Sequence, residues 1–207
     1  MMGKKFLEKA YHPRTEQETQ EMYDAWAATY DLEVADENDY QQPLRCAKAL
    51  MELFKPDQGP VLDVGCGTGL AGIALKESGY ELVDGCDFSN GMLDKAKAIG
   101  VYRRLFFADL NKPPMDVADS FYAAATAVGI FSFGHLKAEA IDEIIRVIRP
   151  GGVLIIGLNE HFYDEGSLTK HLEKQVEEGR MEILKREYGE HLPGTKTGGW
   201  VISIRKM

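Results

Sequence analysis

Nine residues, Leu62-Asp63-Val64-Gly65-Cys66-Gly67-Thr68-Gly69-Leu70, narrow the folds open to this chain more than any other stretch. A short apolar run, Val61 to Val64, ends beside an acid, three alternating glycines follow, and a helical pattern runs from about Leu70 to Ser78. Glycine reaches positive φ and lets a ligand approach the backbone with no Cβ in the way. The helix behind the turn offers unpaired N–H groups. A glycine turn between strand and helix belongs at the carboxyl edge of an open α/β sheet, where such sheets bind ligands.

The texture on either side agrees. From Val61 onward short apolar runs alternate with helical patterns, as a parallel sheet requires. Further strands are expected at Glu81 to Cys86, Tyr102 to Ala108, within Phe121 to Val128, and at Val153 to Leu158. Ser89 can cap a helix ending near Ile99-Gly100, and Ile141, Ile144, Ile145 and Ile148 mark one face of another. Pro150-Gly151-Gly152 is expected to turn the chain into the fifth strand. Before Val61, a capping box at Thr15 to Glu18 opens a helix to about Thr29. Asp31 to Asp39 looks loop-like, and a second helix runs from Pro43 to Phe54. After Leu158, Ser167 to Glu178 looks helical. Met181 to Tyr188 and Trp200 to Arg205 look like an antiparallel pair joined by Gly189 to Gly199. The fold class is α/β, a doubly wound Rossmann-like sheet with a C-terminal antiparallel hairpin. All of 1–207 reads as one domain, with a helical N-terminal segment over 15–55 and a core over 61–207.

Composition excludes several functions. The 207 residues carry 24 Lys+Arg against 33 Asp+Glu, a net charge of −9, which is a poor match to a phosphate backbone. No apolar run approaches the ~20 residues that span a bilayer, and Met1 to Glu8 lacks the apolar stretch of a secretory signal. Cys46, Cys66 and Cys86 are far apart and form no metal-ligand spacing, so reduced thiols in the cytoplasm and no metal are expected.

Two cofactor classes compete for the glycine turn. Gly67-Thr68-Gly69-Leu70-Ala71-Gly72 satisfies the dinucleotide spacing, but its first glycine falls four residues past Asp63. The pattern Asp63-x-Gly65-x-Gly67-x-Gly69 sits flush against the strand end. An acid there repels a pyrophosphate and suits a ligand bearing an ammonium and a sulfonium. Asp63, Asp87 and Asp109 close successive expected strands at separations of 87 − 63 = 24 and 109 − 87 = 22, so they are expected along one rim. Asp87 can accept from both hydroxyls of a ribose. Asp109 can accept from an adenine amino group, Leu110 can offer its backbone N–H to a ring nitrogen, and Phe88 and Met92 can sandwich the ring.

On these residues the sequence resembles the class I S-adenosylmethionine-dependent methyltransferases over about Glu21 to Leu158. Val61 to Gly69, Gly85 to Leu93, Ala108-Asp109-Leu110 and Ile148 to Leu154 carry the likeness. Tyr23 to Asp31 and Gly129 to Leu136 are most similar to the Williams–Beuren-region methyltransferase-like subgroup. The resemblance implies a seven-stranded sheet and S-adenosylmethionine as cofactor. It places Asp63, Gly65, Gly67 and Gly69 around the methionine part, with Cys66 and Leu70 in the same turn. Tyr23 and Tyr30 would lie in a helix closing over the cofactor. The family often has an acid entering strand four, where this chain has Phe121-Tyr122, with Asp119 earlier. That leaves open which of Thr126, Ala127 and Val128 touches the cofactor; Val128 is the residue assigned to it.

A sulfonium methyl is already activated, so such a protein mainly aligns the reactants and excludes water. A base is needed only where the acceptor must lose a proton. His135 and His161 are the candidate catalytic histidines, with Asn159, Glu160 and Tyr163 nearby in sequence to the latter. The expected reaction is methyl transfer to a small molecule or a protein side chain. A non-catalytic cofactor-binding module and an NAD-dependent enzyme are the alternatives.

Overall fold

The computed structural model describes residues 15–131 and 136–207. Seven strands form one sheet: β1 Val61–Val64, β2 Val83–Asp87, β3 Arg104–Phe107, β4 Tyr122–Val128, β5 Ile148–Asn159, β6 Met181–Leu192 and β7 Thr197–Lys206. Their order is β3-β2-β1-β4-β5-β7-β6. The first five run parallel, and β7 is antiparallel to both its neighbours. The direction of the chain across the sheet reverses between β1 and β4, which opens a crevice beyond their carboxyl ends.

The side chains of the central strands alternate between two apolar layers, as a period of two demands. Val61, Ala124, Val153, Ile155 and Val201 pack against Cys46, Ala47, Leu50 and Leu75, from α2 Gln42–Leu53 and α3 Leu70–Glu77. Leu62, Val64, Ala125, Leu154 and Ile156 face the other way, onto a layer holding Ile141, Ile144, Ile145, Leu168 and Leu172. The latter come from α5 Ala140–Val147 and α7 Ser167–Glu177. Truncating a buried isoleucine such as Ile144 costs about 2–5 kcal/mol, so the i, i+3, i+4 pattern of α5 fixes that helix firmly on the sheet.

Several boundaries differ from the sequence expectation. Ile148 leaves the helix and pairs with Tyr122, and Arg149 to Gly152 bulge opposite Ala123 within β5 instead of turning between elements. β2 begins at Val83, because Leu82 is exposed, and it includes Asp87. The C-terminal hairpin is longer than expected: Tyr188 pairs with Trp200 and Gly189 with Gly199, so only Pro193 to Lys196 remain as the turn. The acidic stretch after Asp31 forms a π-helical turn, Leu32–Asp36. α6 Glu160–Glu165 has no counterpart in the sequence expectation; the Asn159 side chain starts it by accepting from the Phe162 N–H at 2.9 Å. The Thr15 capping box does open α1, Glu16–Trp26, and Ser89 does cap α4, Asn90–Ile99.

At the amino end of β2 the buried Asp84 carboxylate is held on both oxygens by Arg103, Nε at 2.9 Å and Nη2 at 2.7 Å, and accepts from the Tyr122 hydroxyl at 3.0 Å. Removing Arg103 leaves that charge with one neutral donor. Arg103→Ala is expected to destabilise the fold by roughly 3 kcal/mol, near the lower end for broken buried pairs because the arginine is partly exposed. Urea unfolding measures it; Arg103→Ala with an unchanged midpoint contradicts this reading of the pair.

Candidate cofactor site

The crevice between β1, β2 and β4 is roofed by α1 and the segment that follows it. It holds about 760 Å³ of empty space, its open mouth included. The floor is the glycine turn. Gly67 has φ of +54°, and a Cβ built on it would meet nothing within 4 Å, so its backbone faces open space. Gly65, Val128, Gly129 and Ile130 continue the wall toward β4.

Asp87 ends β2 and lines the cavity. Its carboxylate is only 7% exposed. One oxygen accepts from the Ser89 N–H at 2.9 Å and the other from the Gly67 N–H at 2.9 Å. Burial pushes this carboxyl up to about 6, against the pull of those backbone donors and with a further push from Asp24. Each oxygen keeps a lone pair for a further donor. Beside it, Phe88, Met92, Ala108, Leu110 and Leu136 make an apolar slot. Asp109 lines the same cavity, but its carboxylate accepts from the Asn111 N–H at 3.0 Å and pairs with Lys112 at 2.8 Å. Tyr23 and Tyr30 reach in from the roof.

The structure thus brings together Tyr23, Tyr30, Gly65, Gly67, Asp87, Phe88, Met92, Asp109, Leu110 and Val128 around one cavity. It does not bring Asp63 to the wall, which corrects the picture of three carboxylates on one rim. Asp63 is in phase with Val61 on β1, so it turns toward the α2–α3 layer. There it accepts from the Tyr102 hydroxyl at 2.7 Å and the Thr126 hydroxyl at 2.9 Å. Burial pushes its carboxyl up to about 6, opposed by those two donors. Cys66, Gly69 and Leu70 support the turn without lining the cavity. Cys66 is buried, its N–H bonds the Cys86 carbonyl at 2.9 Å, and its carbonyl accepts from the Gly69 N–H at 2.9 Å. Its thiol is held well above the usual range by burial. His161 is exposed on α6 and does not reach the cavity, because the Asn159 cap starts a new helix where a rim loop was expected. His135 lies outside the described residues.

Sequence reasoning missed Tyr102, Thr19, Gly129, Ile130 and Leu136. Tyr102 had a signal. A Cβ on Gly72 would sit 2.3 Å from the Tyr102 hydroxyl, so the last glycine of the formal dinucleotide spacing is needed to admit the phenol that binds Asp63.

A buried carboxylate with open lone pairs, next to an apolar slot of ring width and a bare backbone turn, fits an adenosine bearing vicinal hydroxyls. Residues 61–152 match the family model of a methyltransferase domain. Methyltransferase-like protein 27 of Homo sapiens is 35% identical over 136 residues, 65% of this chain and 55% of that protein. A demethylmenaquinone methyltransferase of Corynebacterium kroppenstedtii is 37% identical over 157 residues, 75% of this chain and 63% of that one. Residues 61–152 are thus a methyltransferase domain, and the likeness is to the class I S-adenosylmethionine-dependent methyltransferases. The cofactor of the family is S-adenosylmethionine. The chain spans 55% and 63% of the two curated relatives just named. Its fold is shared with a TehB-like methyltransferase of Corynebacterium glutamicum, TM-score 0.65 at 20% identity, covering 89% of this chain and 98% of that one. It is shared equally with the cyclase SpnF, TM-score 0.67 at 19% identity, covering 94% and 97%. The second likeness shows that the fold alone does not decide the reaction.

The raised carboxyl of Asp87 has a thermodynamic sign. A folded-state value above the unfolded one means the folded protein binds more protons, so this group's contribution to stability is present below about pH 4 and lost as pH rises through about 6. In the ligand-free protein, the stability of Asp87→Asn relative to wild type is expected to improve by on the order of 2 kcal/mol between pH 4 and pH 7. Thermal melts across that range test it. A difference independent of pH contradicts the raised value.

Proposed function

We propose that this chain transfers the methyl group of S-adenosylmethionine to a small-molecule acceptor, or less favourably a protein side chain. Residues 15–55 act as a lid over the cofactor-binding core, 61–207. The observation that carries the reading is the buried Asp87 carboxylate, oriented by two backbone N–H groups into a cavity with an apolar slot at its side.

The residues divide the work. Asp87 accepts from the ribose hydroxyls, and its two fixed N–H bonds prevent it from turning away. Phe88 and Met92 flank the adenine. Leu110 offers its backbone N–H, and Asp109 reads the amino group with the part of its carboxylate that Lys112 leaves free. Gly65 and Gly67 give the methionine part room, while Tyr23 and Tyr30 shut out water from above. When bound, S-adenosylmethionine supplies an activated methyl on a positively charged sulfur. Alignment and dryness are then the main contributions asked of the protein. Asp63 acts from behind, bracing the turn through Tyr102 and Thr126.

No histidine of the described residues lines the cavity. That arrangement suits an acceptor that needs no base from the protein, or one served by a group such as His135 beyond the described residues. Three buried free thiols suit a reducing compartment, and the cytoplasm is the compartment we propose. Among the described residues no helix is long and apolar enough to cross a membrane.

Two charge-assisted hydrogen bonds to a ribose are worth on the order of 1.5–3 kcal/mol each. Asp87→Ala is therefore expected to weaken S-adenosylhomocysteine binding at least about tenfold by calorimetry, and near-wild-type affinity refutes the ribose role. A screen of methyl acceptors with labelled S-adenosylmethionine tests the reaction itself. Cofactor binding with no turnover across the screen favours a binding module.

A further inference from the structure

The roof carries a repeated dipeptide, Tyr23-Asp24 and Tyr30-Asp31, at a spacing of 30 − 23 = 7. Both tyrosines line the cavity. Neither aspartate lines it; Asp24 is exposed and Asp31 half-buried, and each grips a segment that builds the cofactor site. Asp24 accepts from the Ser89 hydroxyl and, at 3.1 Å, from the Gly91 N–H at the start of α4. Asp31 accepts from the Thr68 hydroxyl at 2.5 Å, inside the glycine turn. Neither aspartate has an ion-pair partner among the described residues.

The grips converge on one residue. Ser89, bound by Asp24, gives its own N–H to one oxygen of Asp87. Thr68, bound by Asp31, follows Gly67, whose N–H goes to the other oxygen of Asp87. A closed circuit runs from α1 through Ser89, Asp87 and the glycine turn back to the segment after α1. Gln20 adds a third tie, donating to the Phe88 carbonyl at 2.8 Å. The opening of the roof and the placement of the ribose-binding carboxylate are therefore mechanically linked.

We infer that Asp24 and Asp31 are positioning residues that latch the N-terminal segment shut over the bound cofactor and hold Asp87 in its binding orientation through Ser89 and Thr68. The inference rests on the cofactor reading of the cavity. The latches oppose both entry and escape, because the roof must release Ser89 or Thr68 to let the cofactor pass. Charge-assisted bonds make good latches, since they are stronger than neutral ones when dry and water can replace them when the segment lifts.

The test is the rate of ligand release. Stopped-flow tryptophan fluorescence, with Trp26 buried in the roof as reporter, follows S-adenosylhomocysteine leaving wild type, Asp24→Ala, Asp31→Ala and Asp31→Asn. Each alanine variant is expected to release the probe about tenfold faster, while Asp31→Asn, which keeps a neutral acceptor for Thr68, falls between Asp31→Ala and wild type. Hydrogen exchange on the ligand-free proteins gives a second reading. Protection should fall over Glu16–Asp36 in the alanine variants and stay unchanged in β1 and β4. Release rates within about twofold of wild type in both alanine variants overturn the latch, as does protection lost throughout the sheet. If wild type does not bind the probe, the cofactor reading falls instead, and the exchange pattern still judges the latch on its own.

Discussion

A buried carboxylate with no cation beside it among the described residues is the constraint around which this molecule is arranged. Burying the Asp87 charge is costly, as its raised carboxyl records. The fold meets part of that cost with two backbone donors, one from the glycine turn after β1 and one from the start of α4. Both donors are present only if β1 and β2 lie side by side in parallel register with their turns at the same edge. The sheet order, the glycine turn and the Ser89 cap are thus conditions for a single polar contact.

The remaining acids show how neighbouring positions of one edge reach different ends. Asp63 and Asp87 stand at the ends of adjacent strands, yet only Asp87 lines the cavity. Asp63 pairs with Gly85, so it lies on the same side of the sheet as Asp87 but two residues short of it, where Tyr102 and Thr126 satisfy it. Asp109 lies on a loop after β3, reaches the cavity, and is shared with Lys112. Depth along the strand and local partners, more than the order of acids along the rim, determine which carboxylate can meet a ligand.

The strand–turn–helix units, the order of the elements and the antiparallel hairpin were legible in the sequence because alternating apolar runs and caps are local signals. Thr15, Ser89 and the isoleucines of α5 each announced their element. What could not be read depends on pairing. The bulge at Arg149 to Gly152 follows from Ile148 pairing with Tyr122, and the short turn at Pro193 to Lys196 follows from the register of β6 on β7. Most of the cavity wall was legible too, since its residues sit at fixed offsets from the glycine turn. Asp63 was misplaced because its depth below the edge and its partners Tyr102 and Thr126 depend on pairing with distant strands, and His161 because Asn159 starts a helix. The roles of Asp24 and Asp31 were invisible in sequence: their partners, Ser89 and Thr68, lie far along the chain.

The most direct check of the account is a crystal structure of the S-adenosylhomocysteine complex. It should show both ribose hydroxyls within hydrogen-bond distance of Asp87, with the Gly67 and Ser89 bonds intact and Tyr23 and Tyr30 over the nucleoside. Density for the ligand away from this cavity, or an Asp87 side chain turned from the ribose, would contradict it.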